Sequence, residues 1–242
     1  MALLNADRER DPVLREDAWE LFEAMEASFG VELGDYYGLC GMTVKELTDR
    51  ICEQGDSSPS EVCLSSVSFY RLRRAFMEVL DFPRERIRPS TLLRDLVPWR
   101  ERRTIWRSVE EVTRWRMPRF MWPLWLVALA LFGPAAFLIS LRVVAGLPIS
   151  GIWIGIGSVV LIFPVSWALG RLARTFPVGA KTFGELAELV LARNYGAFAR
   201  EFGGWFEEDV LQAVRRLIAM MTSIKLEKIS DGTRVPQDLN IY

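Results

Sequence analysis

Few side chains in this chain are suited to acid-base, nucleophilic or metal chemistry. The 242 residues include no histidine, which excludes Ser-His-Asp and Cys-His catalysis and metal sites with imidazole ligands. Cys40, Cys52 and Cys63 are too widely spaced for a zinc knuckle and odd in number, so we interpret them as reduced thiols. Phosphate-binding glycine loops and acidic calcium loops are also absent from the sequence. We therefore predict no catalytic residue, no cofactor and no metal site.

The most apolar part of the chain is residues 120–170, 51 residues with a single charge, Arg142. A helix crosses the roughly 30 Å hydrocarbon core of a bilayer with about 20 apolar residues, so this stretch is long enough for two crossings. We predict a two-helix transmembrane hairpin. The alternative, a buried hairpin of a soluble core, is disfavoured because soluble core helices rarely lack charge over such lengths. Gly151 and Gly155 form a small-residue pair suited to close packing on the first span or on another subunit.

The flanks of the hairpin predict its orientation. Seven arginines lie between residues 100 and 119, whereas the connecting turn carries only Arg142. Because positive charge is retained on the cytoplasmic side, we expect both soluble arms and both termini to be cytoplasmic. No apolar run precedes the hairpin, so the hairpin itself is expected to direct insertion without a signal peptide. The predicted location is the bacterial inner membrane, with two spans.

Charge is segregated along the soluble arms. Residues 1–64 hold 15 acids and 5 bases, whereas residues 65–119 hold 14 arginines and 7 acids. The basic segment adjoins the hairpin and should be attracted to anionic headgroups by about 1 kcal/mol per residue close to the surface. Nucleic acid is not a predicted partner, because no reader motif is present; docking of the acidic arm onto the basic one is a further alternative. The arginines expected to face anionic lipid are Arg107, Arg114, Arg116, Arg119, Arg171 and Arg174.

Outside the hairpin, apolar residues recur at helical spacing and no strand alternation competes with them. One such face comprises Phe206, Val210, Val214, Leu217, Ile218 and Met221. Two further helices open with capping boxes, at Thr43 with Glu46 and at Thr182 with Glu185. The predicted fold class is therefore all-α.

One sequence unit occurs twice: an amphipathic helix, Glu-x-Ile, a threonine-containing loop and Asp-Leu. It contains Glu85 to Ile87 in the first copy and Glu227 to Ile229 in the second, with one residue inserted in the second copy. This order resembles the first half of an acyl carrier protein. Residues 16–53 resemble the second half, with its recognition helix, the loop after it and the capped final helix.

The order of the carrier-like pieces is rearranged. Residues 68–118 and 182–194 resemble one bundle that the hairpin interrupts, while residues 205–242 supply the first helix and loop that residues 13–53 lack. We therefore predict that the two ends complete a second bundle; the alternative is two independent arms packing on the membrane or on other proteins. The predicted domains are an acidic helical arm at 1–53, a linker at 54–66, a carrier-like bundle at 67–119 and 181–196, the transmembrane hairpin at 120–170, and a helix and loop at 205–242.

Acyl carriers bear phosphopantetheine on the serine of Asp-Ser-Leu at the start of the second helix. The resemblance places that position near Arg100 in the first bundle and near Arg15 in the second, and arginine cannot carry the phosphodiester. Asp56-Ser57-Ser58 has no following leucine and is interpreted as spacer. We therefore predict a non-catalytic, membrane-anchored interaction module. The alternative is a genuine membrane-tethered carrier modified at an unrecognised serine; a histidine-free lipid enzyme would need a convergent polar site that the sequence does not show.

The resemblance also implies a protein partner, because carriers offer acidic helix faces to basic patches on their enzymes. The residues predicted to form this face are Glu16, Asp17, Glu20, Glu23 and Glu26. The alternative is a merely solvated face, since acidic residues early in a helix are also favoured by the helix dipole.

Overall fold

The computed structural model describes residues 12–55, 62–144, 150–170, 175–177 and 179–239. These residues form eleven α-helices and no strand, which confirms the all-α prediction. The chain divides into two units, one comprising Met1–Pro118 with Val178–Tyr242 and the other Arg119–Pro177. The helices are α1 (Pro12–Phe29), α2 (Tyr36–Leu39), α3 (Val44–Gln54), α4 (Leu64–Leu80), α5 (Leu93–Leu96), α6 (Arg102–Thr113), α7 (Leu124–Val144), α8 (Gly151–Gly170), α9 (Phe183–Arg193), α10 (Tyr195–Phe202) and α11 (Glu207–Thr222).

The smaller unit is a pair of long apolar helices, α7 and α8, each with a mean hydropathy of 2.1 over its central region. Both are long and apolar enough to cross a membrane, as the sequence predicts. Their apolar side chains point outwards, and Phe132 and Phe163 are 70% and 76% exposed. A soluble protein rarely leaves so large a continuous apolar surface in water, so these helices fit a lipid environment.

The two helices of this unit approach each other at a glycine that the sequence pattern did not single out. A methyl group added at Gly157 would lie 3.0 Å from Leu138 Cδ1, whereas one added at Gly151 or Gly155 would meet nothing within 4 Å. The predicted small-residue pair therefore does not mediate the packing of α8 on α7. Among these three glycines of α8, the one that lies close to α7 is Gly157, two residues after Gly155.

The larger unit contains two helical groups that we call the middle bundle (α4, α5, α6 and α9) and the split bundle (α1, α2, α3 and α11). Both predicted capping boxes are present and are confirmed: Thr43 and Thr182 each accept the N–H of the glutamate three residues later. In the split bundle, elements from the two ends of the chain pack together. One hydrophobic cluster contains Phe22 and Met25 of α1 together with Val214 and Leu217 of α11.

Two of the sequence predictions differ from the structure in their extent. The segment between α3 and α4 is shorter than the predicted linker at 54–66, since α3 continues to Gln54 and α4 already begins at Leu64. The predicted apolar face of α11 is also narrower: Phe206 is the residue before the helix and is 43% exposed, and Met221 in its last turn is 39% exposed. Periodicity identifies which residues share a face, but it does not fix where the packing partner ends.

Helix α10 was not predicted, and it joins the two bundles. Its buried residues Tyr195 and Phe198 contact different rings: the ring centroid of Tyr195 lies 5.4 Å from that of Phe29, and the ring centroid of Phe198 lies 4.6 Å from that of Trp115. Gly196 lies so close to α1 that an added Cβ would be 1.8 Å from the carbonyl oxygen of Phe29. Only glycine allows this approach of one backbone to another.

Candidate interaction site

The middle and split bundles repeat the same backbone course after their first long helix. Helix α4 ends in a left-handed residue, Asp81 (φ 52°), and α11 ends in Ser223 (φ 59°), which lies 142 positions later. A short 3₁₀ helix follows in each copy, Arg84–Arg86 in the first and Leu226–Lys228 in the second. The sequence repeat is therefore also a repeat of backbone conformation.

The threonine loop has the same hydrogen bonds in both copies. The Oγ1 of Thr91 accepts the N–H of Arg88, and the Oγ1 of Thr233 accepts the N–H of Ser230, each at 2.9 Å. Each side chain thereby satisfies a backbone donor that would otherwise face the turn without a partner. This is the physical reason for a threonine at the same place in the two units.

The same loop holds the last helix of each bundle. The carbonyl oxygen of Thr91 accepts the N–H of Phe183 at 2.8 Å, and that of Thr233 accepts the N–H of Val44 at 2.9 Å. Phe183 and Val44 are the first residues of the capped helices α9 and α3. In the split bundle this bond joins residues near opposite ends of the chain, so the C-terminal loop holds the N-terminal arm.

Helices α1 and α6 are also counterparts, with an offset of 84 positions. Glu26 accepts the N–H of Leu33 at 2.7 Å, and Glu110 accepts that of Met117 at 3.0 Å. Each glutamate lies in the last turns of its helix and holds the segment that follows. Because a charged acceptor strengthens the bond, both carboxylates act as loop anchors.

Glu26 has a second internal role that separates it from the other residues of the predicted acidic face. Its Oε2 accepts the hydroxyl of Tyr36 at 2.5 Å, and this bond raises the pKa of Tyr36 to about 12. Its carboxylate is half-buried and has two protein donors. The structure therefore gives Glu26 a role within the fold that the sequence did not predict, and its partner-facing role stays a prediction.

The remaining acidic face of α1 includes aromatic residues that sequence reasoning missed. Glu20 and Glu23 are exposed, whereas the side chains of Glu16 and Asp17 lie outside the described residues. Trp19 is 41% exposed and Tyr37 50%, with their rings 5.7 Å apart. The signal was a tryptophan directly beside a glutamate on the polar side of an amphipathic helix.

The residues predicted at the prosthetic-group position lie before their helices or in the first turn. Arg100 is exposed, two residues before the start of α6. Arg15 lies within the first turns of α1, and its side chain is outside the described residues. With the offset of 84, Arg100 corresponds to Glu16, one residue after Arg15, so the two predicted positions agree to within one residue.

The arginines predicted to face lipid are in different surroundings. Arg107 on α6 and Arg114, the residue that follows α6, are exposed. Arg116 instead links the bundles: its Nη1 donates to the carbonyl oxygen of Ala27 at 3.1 Å, and its backbone N–H donates to Asn194 Oδ1 at 2.9 Å. Arg119, also exposed, belongs to the smaller unit. Arg171 and Arg174 lie outside the described residues.

The three cysteines are all free thiols, and Cys52 and Cys63 differ in acidity. Hydrogen bonds from Ser65 and Ser66 lower the pKa of the exposed Cys63, whereas burial raises the pKa of Cys52 to about 11. Among the described residues, no group of three Cys, Asp or Glu side chains is arranged to hold a metal ion. Comparison with protein-family models, with curated proteins and with solved structures finds no match to this chain.

Proposed function

We propose that the protein is a non-catalytic interaction module, anchored in the bacterial inner membrane, whose cytoplasmic part consists of two acyl-carrier-like bundles without the prosthetic-group serine. The observation that supports this most is Arg100. It stands exposed immediately before α6, where the resemblance expects the modified serine. Without that serine, the surfaces of the bundles are left for docking, and no group is present to carry an acyl chain.

The repeated loop supports the carrier-like part of the proposal. A helix, a loop closed by a threonine hydroxyl, and a capped last helix held by that loop occur in both bundles with the same hydrogen bonds. In the split bundle, α1 with its exposed Glu20 and Glu23 corresponds to the recognition helix that the resemblance implies. The predicted partners are a protein at this helix and anionic headgroups at the arginines near the hairpin.

The prosthetic-group proposal is tested by incubating the purified full-length chain with a phosphopantetheinyl transferase and coenzyme A, then measuring its intact mass. We expect no mass gain. A chain carrying Trp99→Asp, Arg100→Ser and Glu101→Leu, which restores the Asp-Ser-Leu sequence, should gain one phosphopantetheine at residue 100. Modification of the natural chain would overturn the proposal in favour of a genuine membrane-tethered carrier.

The anchor is tested separately. The exposed apolar surfaces of α7 and α8 predict that the protein stays with membranes through alkaline and high-salt washes, which release proteins held by charge alone. Labels placed at residues 2 and 241 should react only from the cytoplasmic side. Release by either wash, or labelling from outside, would contradict the anchored arrangement.

A further inference from the structure

Helices α1 and α6 are structural counterparts whose exposed faces carry opposite charge. With the 84-residue offset fixed by Glu26 and Glu110, Glu23 of α1 corresponds to Arg107 of α6. Both of these side chains are exposed. The fold therefore presents one helix geometry twice, once acidic and once basic.

Neighbouring positions extend this contrast. Trp19 corresponds to Arg103, and Glu20 corresponds to Thr104. Arg114 lies two turns after Arg107, at a position where α1 is followed by the uncharged Gly30. The basic face is not uniform, since Glu111 on α6 is also exposed. The contrast is therefore strongest in the first three turns of the two helices.

The charges at the centre of these faces are not used within the molecule. Glu20, Glu23 and Arg107 form no ion pair with any residue that the structure describes, whereas exposed charges elsewhere in the same unit do pair, such as Arg71 with Glu201 at 2.7 Å. Two faces of opposite charge on one chain, with central charges that form no ion pair among the described residues, are the arrangement expected of a head-to-tail contact between copies.

We propose that the acidic face of α1 in one copy docks on the basic face of α6 in a second copy. Complementary charge selects the partner and sets the orientation, and Trp19 is placed to lie over an arginine of α6, an arrangement that guanidinium groups favour. Copies anchored in one membrane are also confined to the same layer, which raises their effective concentration. This inference rests on the membrane anchor of the proposed function and names the protein partner of its acidic helix, but it does not depend on the acyl-carrier resemblance. It also assigns Arg107, expected above to face anionic lipid, to a contact between copies.

The test uses energy transfer between donor-labelled and acceptor-labelled full-length chains in phosphatidylcholine vesicles, where no anionic lipid competes. We expect transfer between natural chains to fall as salt is raised from low to high concentration, because contacts between exposed charges are screened. Glu23→Arg alone and Arg107→Glu alone should each weaken association by about tenfold, since each places like charges opposite each other.

A mixture of the two variants separates docking from misfolding. Arg107→Glu copies present Glu at position 107 to the Arg at position 23 of Glu23→Arg copies, and the reverse contact retains the natural pair. Transfer should therefore return in the mixture, although each variant alone has lost it. Glu78→Arg, a charge reversal at an exposed position of α4, is the matched control and should behave like the natural chain.

Two outcomes would overturn the proposal. One is energy transfer in neutral vesicles that neither charge reversal changes, together with an effect of Arg107→Glu that is seen only when phosphatidylglycerol is included. In that case Arg107 binds lipid headgroups and not a second copy. The other is failure of the mixture to recover transfer. As an independent measurement in chains that also carry Cys63→Ser, which removes the exposed native thiol, copies with Glu23→Cys mixed with copies with Arg107→Cys should form a disulfide-linked dimer. Linkage within the Glu23→Cys population alone would indicate an α1–α1 contact instead.

Discussion

The middle and split bundles share their internal hydrogen bonds but differ in what they show to solvent. Thr91 and Thr233 close the same loop, and Glu26 and Glu110 hold the same segment. At one central exposed position, in contrast, α1 carries Glu23 and α6 carries Arg107. A buried backbone donor needs a partner wherever it lies, whereas an exposed position tolerates either charge, so the two bundles keep these internal bonds while their surfaces differ.

The second difference is the segment that follows the second long helix. In the split bundle, Leu33 is joined to the capped helix at Thr43 by a loop that contains α2. In the middle bundle, Met117 is joined to the corresponding Thr182 through the whole hairpin unit. The pair of long apolar helices therefore occupies the position of a loop, where insertions are tolerated because the elements on either side are held by their own contacts.

The largest expected difference in stability between matched positions of the two bundles is at Leu217, which is buried in the split bundle in one cluster with residues of α1. Leu217→Ala should lower the free energy of unfolding of the soluble unit by ~2–5 kcal/mol, the usual range for truncating a buried leucine. Its counterpart in the middle bundle, at the offset of 142 positions, is the smaller Ala75, which is also buried. Denaturant unfolding of the protein in detergent measures the loss.

Hydrogen exchange shows whether this loss extends to the other end of the chain. In the Leu217→Ala chain, amides of residues 17–30 should exchange faster, because α1 shares its hydrophobic cluster with α11. Met221→Ala, at an exposed position of the same helix, is the control and should leave protection unchanged. Unchanged protection of residues 17–30 in a chain lacking residues 205–242 would show that the ends do not depend on each other.

Local and one-dimensional signals made the hairpin and the capped helices predictable. Hydropathy over residues 120–170 needs no knowledge of the fold, and the boxes at Thr43 and Thr182 are complete within four residues. The role of Glu26 was missed because its bond to Tyr36 depends on how a loop returns to α1. Helix α10 was missed for a related reason: it is only eight residues long, and its apolar residues are buried by contacts with both bundles that the sequence does not show.

Gly196 of α10 packs directly against the backbone of α1 in the split bundle. Gly196→Ala should destabilise the soluble unit by ~1–3 kcal/mol or more, because the added methyl group would collide with the backbone of Phe29 and α10 would have to move away from α1. Gly232→Ala is the matched control, since a methyl group there meets nothing within 4 Å. Equal stability of the two variants would contradict the observed approach of α10 to α1.

The two glutamate anchors are expected to differ in strength. Glu110→Ala removes one acceptor from the N–H of the buried Met117, a loss of about 1 kcal/mol, whereas Glu26→Ala removes acceptors from Leu33 and Tyr36 and should cost about 2 kcal/mol. The ordering matters more than either value. A larger loss for Glu110→Ala would show that the Tyr36 bond adds nothing to stability.

The pH dependence identifies the extra bond directly. Because Glu26 raises the pKa of Tyr36 to about 12, above its ordinary value near 10, the folded state favours the neutral phenol. The stabilisation is fully present below about pH 10 and is lost as the pH rises through about 12. Burial also raises the pKa of Tyr195, so absorbance titration should show two late-ionising tyrosines. Only the Tyr36 step should move to lower pH in Glu26→Gln, while Glu110→Gln leaves both steps unchanged.

The smallest expected effects are at the two capping boxes, and here the bundles should agree. Thr43→Ala and Thr182→Ala each remove the oxygen that accepts the N–H of the third residue of a capped helix, and each should cost about 1 kcal/mol. Thr→Ser at either position retains the oxygen and provides the control. If both bundles unfold as one unit, both variants lower the same transition by the same amount. A Thr182→Ala chain that loses protection only in α9, with α3 unaffected, would instead show that the bundles open separately, and that α10 packs between them without making them cooperative.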